Sequence, residues 1–153
     1  MEVPQEIFDG DNYIKSLSIS QPRIRSGGGS QLETVNFFRD YKSELSVTGA
    51  NWLKEYGLAG KLTVVDYSSL ELFYAMFPPQ YVYEAYHFGI YLSGVKRYDY
   101  IFLRELNVKY GIMSGGYTPN DWNASQITPF LEAEFNKIYS DGGAIIYAST
   151  YLH

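Results

Sequence analysis

The sequence predicts an α+β domain: one compact body of mixed helices and a small, mostly antiparallel sheet, led by an extended N-terminal arm. Three observations predict it. Ser30 with Glu33, and Ser68 with Glu71, are capping-box pairs, each followed by apolar residues at helical spacing. "KLTVVDY" at 61 to 67 and "AIIYASTYLH" at 144 to 153 are β-branched and aromatic runs that suit strands. No repeat of fixed period and no regular βαβ alternation is present, which argues against a solenoid or a doubly wound sheet.

Residues 13 to 25, "YIKSLSISQPRIR", alternate in the strand manner, with Ile14, Leu17 or Ile19, and Ile24 available for one buried face. Pro22 has no N–H for a ladder and restricts this piece to an edge or an arm. The expected organisation is an arm over 1 to 25, a hinge over 26 to 30 built on Gly27, Gly28 and Gly29, and a globular domain over 31 to 153. Leu32, Val35, Phe38, Tyr41 and Leu45 give a helix from about 31 to 45. A shorter helical turn over 51 to 56 stops at Gly57, and 61 to 67 is a strand. Leu70, Phe73, Tyr74 and Phe77 form the next helix, ended by Pro78 and Pro79. From 80 to 92 the spacing favours a helix, although the tyrosines also suit a strand. The alternation of Leu106, Val108, Tyr110 and Ile112 predicts strands within 98 to 113, although Tyr98, Ile101, Phe102 and Leu106 also fit a helical face. After a loop, Thr128 and Pro129 open a helix to Tyr139, "SDGG" ends it, and the tail is a strand.

Composition narrows the function classes. A chain of 153 residues is one domain by length. A net charge of −5 argues against a nucleic-acid binder, which gains affinity by neutralising phosphates with clustered Lys and Arg. The absence of cysteine removes disulfides, thiolate nucleophiles and Cys-ligated metals. The first residues lack the basic start and apolar core of an export signal, so a virion or cytoplasmic location is expected. The longest apolar-looking run, 81 to 95, falls short of the roughly 20 residues a membrane span needs, and Glu84 and His87 interrupt it.

No constellation spells out chemistry. "GLAGK" at 57 to 61 has Glu55 and Leu62 where a phosphate loop needs Gly and Ser or Thr. Glu84 and His87 make a single Glu-x-x-His pair, whereas a di-iron bundle needs two such pairs and two more glutamates. Ser114 sits in "GIMSGGY" without the spacing of a nucleophile elbow. Asp66, Glu71, Glu84 and Glu105 would serve a hydrolase if a pair of them met in space. No catalytic, cofactor-binding or metal-binding residue is assigned.

The strongest compositional deviation is the load of 16 tyrosines. Tyr81, Tyr83, Tyr86 and Tyr91 point in different directions whether their segment is helix or strand, so some face outward. Outward tyrosines supply contact area with few rotors to freeze, as protein interfaces require. The arm acts as a ligand whether it adds as a strand to a neighbouring subunit or is a partner's peptide joined through a Gly-Ser linker. The sequence therefore predicts a non-enzymatic, protein-binding subunit of a larger assembly, most specifically a phage-like virion structural or accessory protein. Its contact residues are Ile14, Leu17, Ile19, Ile24, Tyr81, Tyr83, Tyr86 and Tyr91, and its partners are copies of itself or other subunits, with no cofactor, nucleic acid or membrane. The rival from another class is a small acidic inhibitor or immunity-type protein that blocks a basic enzyme. A carboxylate-based hydrolase comes third.

Overall fold

Alternation along the strands assigns the two faces of the sheet. The computed structural model describes residue 24 and residues 30–84, 98–114, 122–123 and 126–152. The strands of the main sheet are β1 (Thr63–Val65), β2 (Val82–Glu84), β3 (Tyr100–Leu103), β6 (Phe135–Ser140) and β7 (Ile145–Ser149), in the order β2-β1-β3-β7-β6. Successive side chains of a strand point to opposite faces. Val65, Tyr100, Phe102, Ile146 and Ala148 accordingly share one apolar cluster, while Val64, Ile101, Leu103 and Tyr147 share the other. Both faces are covered, which is why β3 reads as an unbroken apolar run.

The first face is packed by α2 (Glu44–Tyr56) through Ala50 and Leu53 and by α3 (Leu70–Met76) through Leu72 and Phe73. The second is packed by α5 (Thr128–Glu134) through Leu131, and by Met113 of β4 (Ile112–Met113), which pairs with β5 (Trp122–Asn123). Phe73, Ile101 and Phe102 are fully buried, and burial of each such side chain contributes about 1.5–3 kcal/mol. Helices α1 (Gln31–Asp40) and α4 (Glu105–Tyr110) meet across the carboxyl ends of β1 and β3, where Phe37, Phe38 and Leu106 form a third cluster.

The fold is α+β as expected, and its sheet is mixed. β1 pairs parallel with both β2 and β3, whereas β7 runs antiparallel to β3 and to β6. The parallel half escapes the sequence reading because β2 has only three residues in a stretch whose spacing favours a helix.

Four other boundaries differ from expectation. The expected helix over 31 to 45 stops at Asp40, and α2 starts afresh with Ser43 as its N-cap, whose Oγ accepts the Ser46 N–H at 3.3 Å. The second capping box does not form, because the Ser68 hydroxyl donates to Asp66 Oδ1 at 2.7 Å. Residues Glu105–Tyr110 are helical, closed by Gly111 at a φ of 67° that favours glycine. The helix opened by Thr128 gives way to strand at Phe135, since β7 offers a ladder to its second half.

Candidate functional site

Open α/β sheets leave a crevice outside the carboxyl ends of adjacent parallel strands, and ligands enter there. Here those ends carry Asp66, directly after β1, and Arg104, directly after β3, both buried. Arg104 Nη1 donates to Phe38 O at 2.6 Å and to Ser68 O at 2.7 Å, and Nη2 donates to Tyr41 O at 2.5 Å. The guanidinium lies 5.2 Å from the Phe38 ring centroid, within cation–π range. It thus takes up a carbonyl that the last turn of α1 leaves without an intrahelical partner, where a cation also suits the helix dipole. Burial lowers the Arg104 pKa, while Asp66 and Glu105 oppose that shift.

Asp66 is equally committed. Its Oδ1 accepts from Ser68 Oγ at 2.7 Å and Ser69 Oγ at 2.9 Å; its Oδ2 accepts from Asn107 Nδ2 at 2.7 Å and the Ser114 N–H at 3.1 Å. Four donors fill the four lone-pair sites of a carboxylate. Asn107 closes the circuit by accepting the Arg104 N–H at 2.7 Å and donating to Ile112 O at 2.9 Å. Lys42, half-buried, donates to Arg39 O and to Ser68 O, and its pKa is lowered first by burial and then by Arg104. Asp66 and Arg104 are thus occupied by the chain's own groups.

Of the four carboxylates weighed in the sequence, Asp66 and Glu105 both act on Arg104, and Asp66 and Glu71 both act on Lys42. Glu105 is buried against Lys109 at 2.9 Å, and Glu71 is exposed with Lys42 at 3.7 Å. Glu84 ends β2. Ser114 serves the fold through its backbone, accepting the Tyr67 N–H and donating to Asp66. His87 lies outside the described residues. Among the described residues, no group of three or more His, Asp or Glu side chains is arranged to hold a metal ion, and no helix is long and apolar enough to cross a membrane.

One face of the same sheet carries an aromatic row that runs from the last turn of α2 to the edge strand β6, where Tyr139 is level with Phe102 of β3. The last two turns of α2 carry Trp52 and Tyr56 one helical turn apart, on the same stripe. Tyr56 is 63% exposed; its ring centroid lies 5.4 Å from Trp52, which lies 5.0 Å from Tyr139 of β6. Tyr139 is anchored by donating to Asp141 Oδ2 at 2.9 Å, and burial together with that carboxylate pushes its pKa up to about 12. Beside this row, Leu53 and Lys54 of the same helix turns border a cleft closed by residues 57–61, Met76, Phe77, Tyr81 and Tyr100. Leu58 on its rim is half exposed.

Of the expected contact residues, Tyr83 is 47% exposed on β2, an outer strand of the sheet, and stacks on Tyr98 at 4.8 Å. Tyr81 is half-buried in the cleft wall. Ile14, Leu17, Ile19, Tyr86 and Tyr91 lie outside the described residues. Ile24 is a correction: it is helical and buried against the cluster of Phe37, Phe38 and Leu106, so its apolar surface is used within its own body. The aromatic row was missed in the sequence. Its only local signal is the helical spacing of Trp52 and Tyr56, and Tyr139 joins them through the fold alone.

The chain matches no protein-family model, and no curated protein or solved structure shows significant similarity to it.

Proposed function

We propose that this protein is a non-enzymatic, protein-binding subunit of a larger assembly and that the aromatic row formed by α2 and the edge strand β6 makes the contacts. The observation that carries the reading is the row Tyr56–Trp52–Tyr139, in which exposed Tyr56 is held against two half-buried rings that are themselves packed on the core. Aromatic anchors of this kind supply most of the energy of protein interfaces. Tyr83, exposed on β2 against Tyr98, gives a second aromatic contact beside a strand with no strand neighbour on its outer side among the described residues. A virion subunit is one form such a module takes.

The first partner to test is a second copy of the chain. Light scattering on the purified protein is expected to show mass rising with concentration, and the double substitution Trp52→Ser and Tyr56→Ser is expected to return it to monomer. A monomer at every concentration that instead binds a basic enzyme through this face replaces the assembly with the acidic inhibitor, for which the net charge of −5 is suited.

A further inference from the structure

The cleft beside the aromatic row has the properties of a small-molecule site. Its volume is about 410 Å³, at the lower end of the range for ligand pockets, which suits a single-ring ligand. Leu53, Met76, Phe77 and Tyr81 give it an apolar wall, with Phe77 held by stacking on buried Phe73 at 5.0 Å. Such a wall takes an apolar body and does not distinguish one ring from another.

Polar groups at the same place select the other end of the ligand. Tyr100, itself buried, accepts the Leu58 N–H at 2.9 Å through its hydroxyl. That bond uses a lone pair and leaves the O–H hydrogen without an acceptor among the described residues, at the wall of the cleft. Two ammonium groups border the opening. Lys61 is 3.9 Å from Asp99, which is also held by the Leu62 N–H at 2.9 Å, while Lys54 lies on the last turn of α2. A hydroxyl donor and two cationic side chains in one cleft lining, which includes no carboxylate residue among the described residues, favour an anionic acceptor.

We infer that this cleft binds a small aromatic carboxylate, with its ring against Leu53, Met76 and Phe77 and its carboxylate toward the Tyr100 hydroxyl and the Lys54 and Lys61 ammonium groups. This goes beyond protein binding and stands on different residues from the aromatic row, so either can fail alone.

Three probes of one shape test it by calorimetry or ligand-observed NMR on the full chain: 3-phenylpropanoate, its neutral amide and the corresponding phenylpropylammonium ion. The carboxylate is expected to saturate at a Kd below about 1 mM, with the amide at least tenfold weaker and the cation weaker still. Ala59→Trp, a substitution at an exposed position in the cleft border, is expected to weaken the carboxylate by tenfold or more while leaving thermal unfolding unchanged. Lys54→Met with Lys61→Met is expected to erase the preference for carboxylate over amide. Absence of saturation by about 10 mM overturns the proposal, as does equal binding of the three probes or full binding by the Ala59→Trp protein.

Discussion

The two ends of the parallel strands β1 and β3 are built on opposite principles. At the carboxyl end the polar groups are buried and spent on one another: Arg104 holds carbonyls of Phe38, Tyr41 and Ser68, and Asp66 accepts from four donors. At the amino end a cleft lies open between the last turn of α2 and the strand starts, with Tyr56 and Leu58 exposed beside it. A buried charge is costly unless partnered, and the chain supplies acceptors for both Nη atoms of Arg104 and donors for both oxygens of Asp66, leaving Arg104 Nε without an acceptor among the described residues. Aromatic side chains tolerate half-exposure, because they keep an apolar body against the core and a polar tip in water. At the end where α/β sheets ordinarily take ligands, Asp66 and Arg104 are thereby withdrawn from solvent.

The comparison is broken most directly at Arg104. Arg104→Met removes the guanidinium from three buried or half-buried carbonyls and leaves Asp66 with half-buried Lys42 as its remaining nearby cation, and is expected to lower stability by about 3–5 kcal/mol in urea denaturation. A change below about 1 kcal/mol there means that the closed end is not what holds α1 in place. Next is Gly49, where an added Cβ would stand 2.7 Å from the Ala144 Cβ, closer than real side chains approach. Gly49→Val is expected to force α2 away from β7 and lose about 1–3 kcal/mol, with the Trp52–Tyr139 contact disturbed as well. Ser43→Ala removes the cap of α2 and is expected to lose about 1 kcal/mol.

The smaller effects sharpen the account of the aromatic row. Tyr139 has its folded pKa raised to about 12 from an ordinary 10.0, so the folded protein holds that proton more tightly than the unfolded chain. Its contribution to stability is complete below pH 10.0 and is lost as pH rises toward about 12. A late tyrosinate step in an ultraviolet titration is expected, disappearing in Tyr139→Phe and moving to lower pH in Asp141→Asn. Tyr56→Ser is expected to change stability by less than about 0.5 kcal/mol while abolishing self-association. Loss of stability on the scale of the Ser43 variant would instead make Tyr56 part of the body.

Local chemistry was legible where the chain needed only its own neighbours. Ser30 and Glu33 form the box their spacing announces, with the Ser30 N–H donating to Glu33 at 2.8 Å and the Glu33 N–H to Ser30 at 3.2 Å. Gly57 ends α2, and Gly60 takes the positive φ of a turn. Ser68 and Glu71 have the same spacing as the first pair and form no box, because Asp66 competes for the Ser68 hydroxyl within a network closed by residues 36 to 48 positions away along the chain. A pattern records which bonds are available; burial decides which are made.

The sequence by itself determined the α+β class, the helix starts at Ser30 and Thr128, the strands at 63–65 and 145–149, and the surplus of tyrosine. These follow from backbone preferences and from the period of apolar residues, which act over a few positions. Only the tertiary structure decided that β1 lies between β2 and β3, that Phe135 leaves its helix for a ladder, that Arg104 and Asp66 face inward, and that Tyr139 completes the row begun by Trp52 and Tyr56. Each joins residues distant in the chain, and their free energies exist only once the core has excluded water and brought those partners within contact distance.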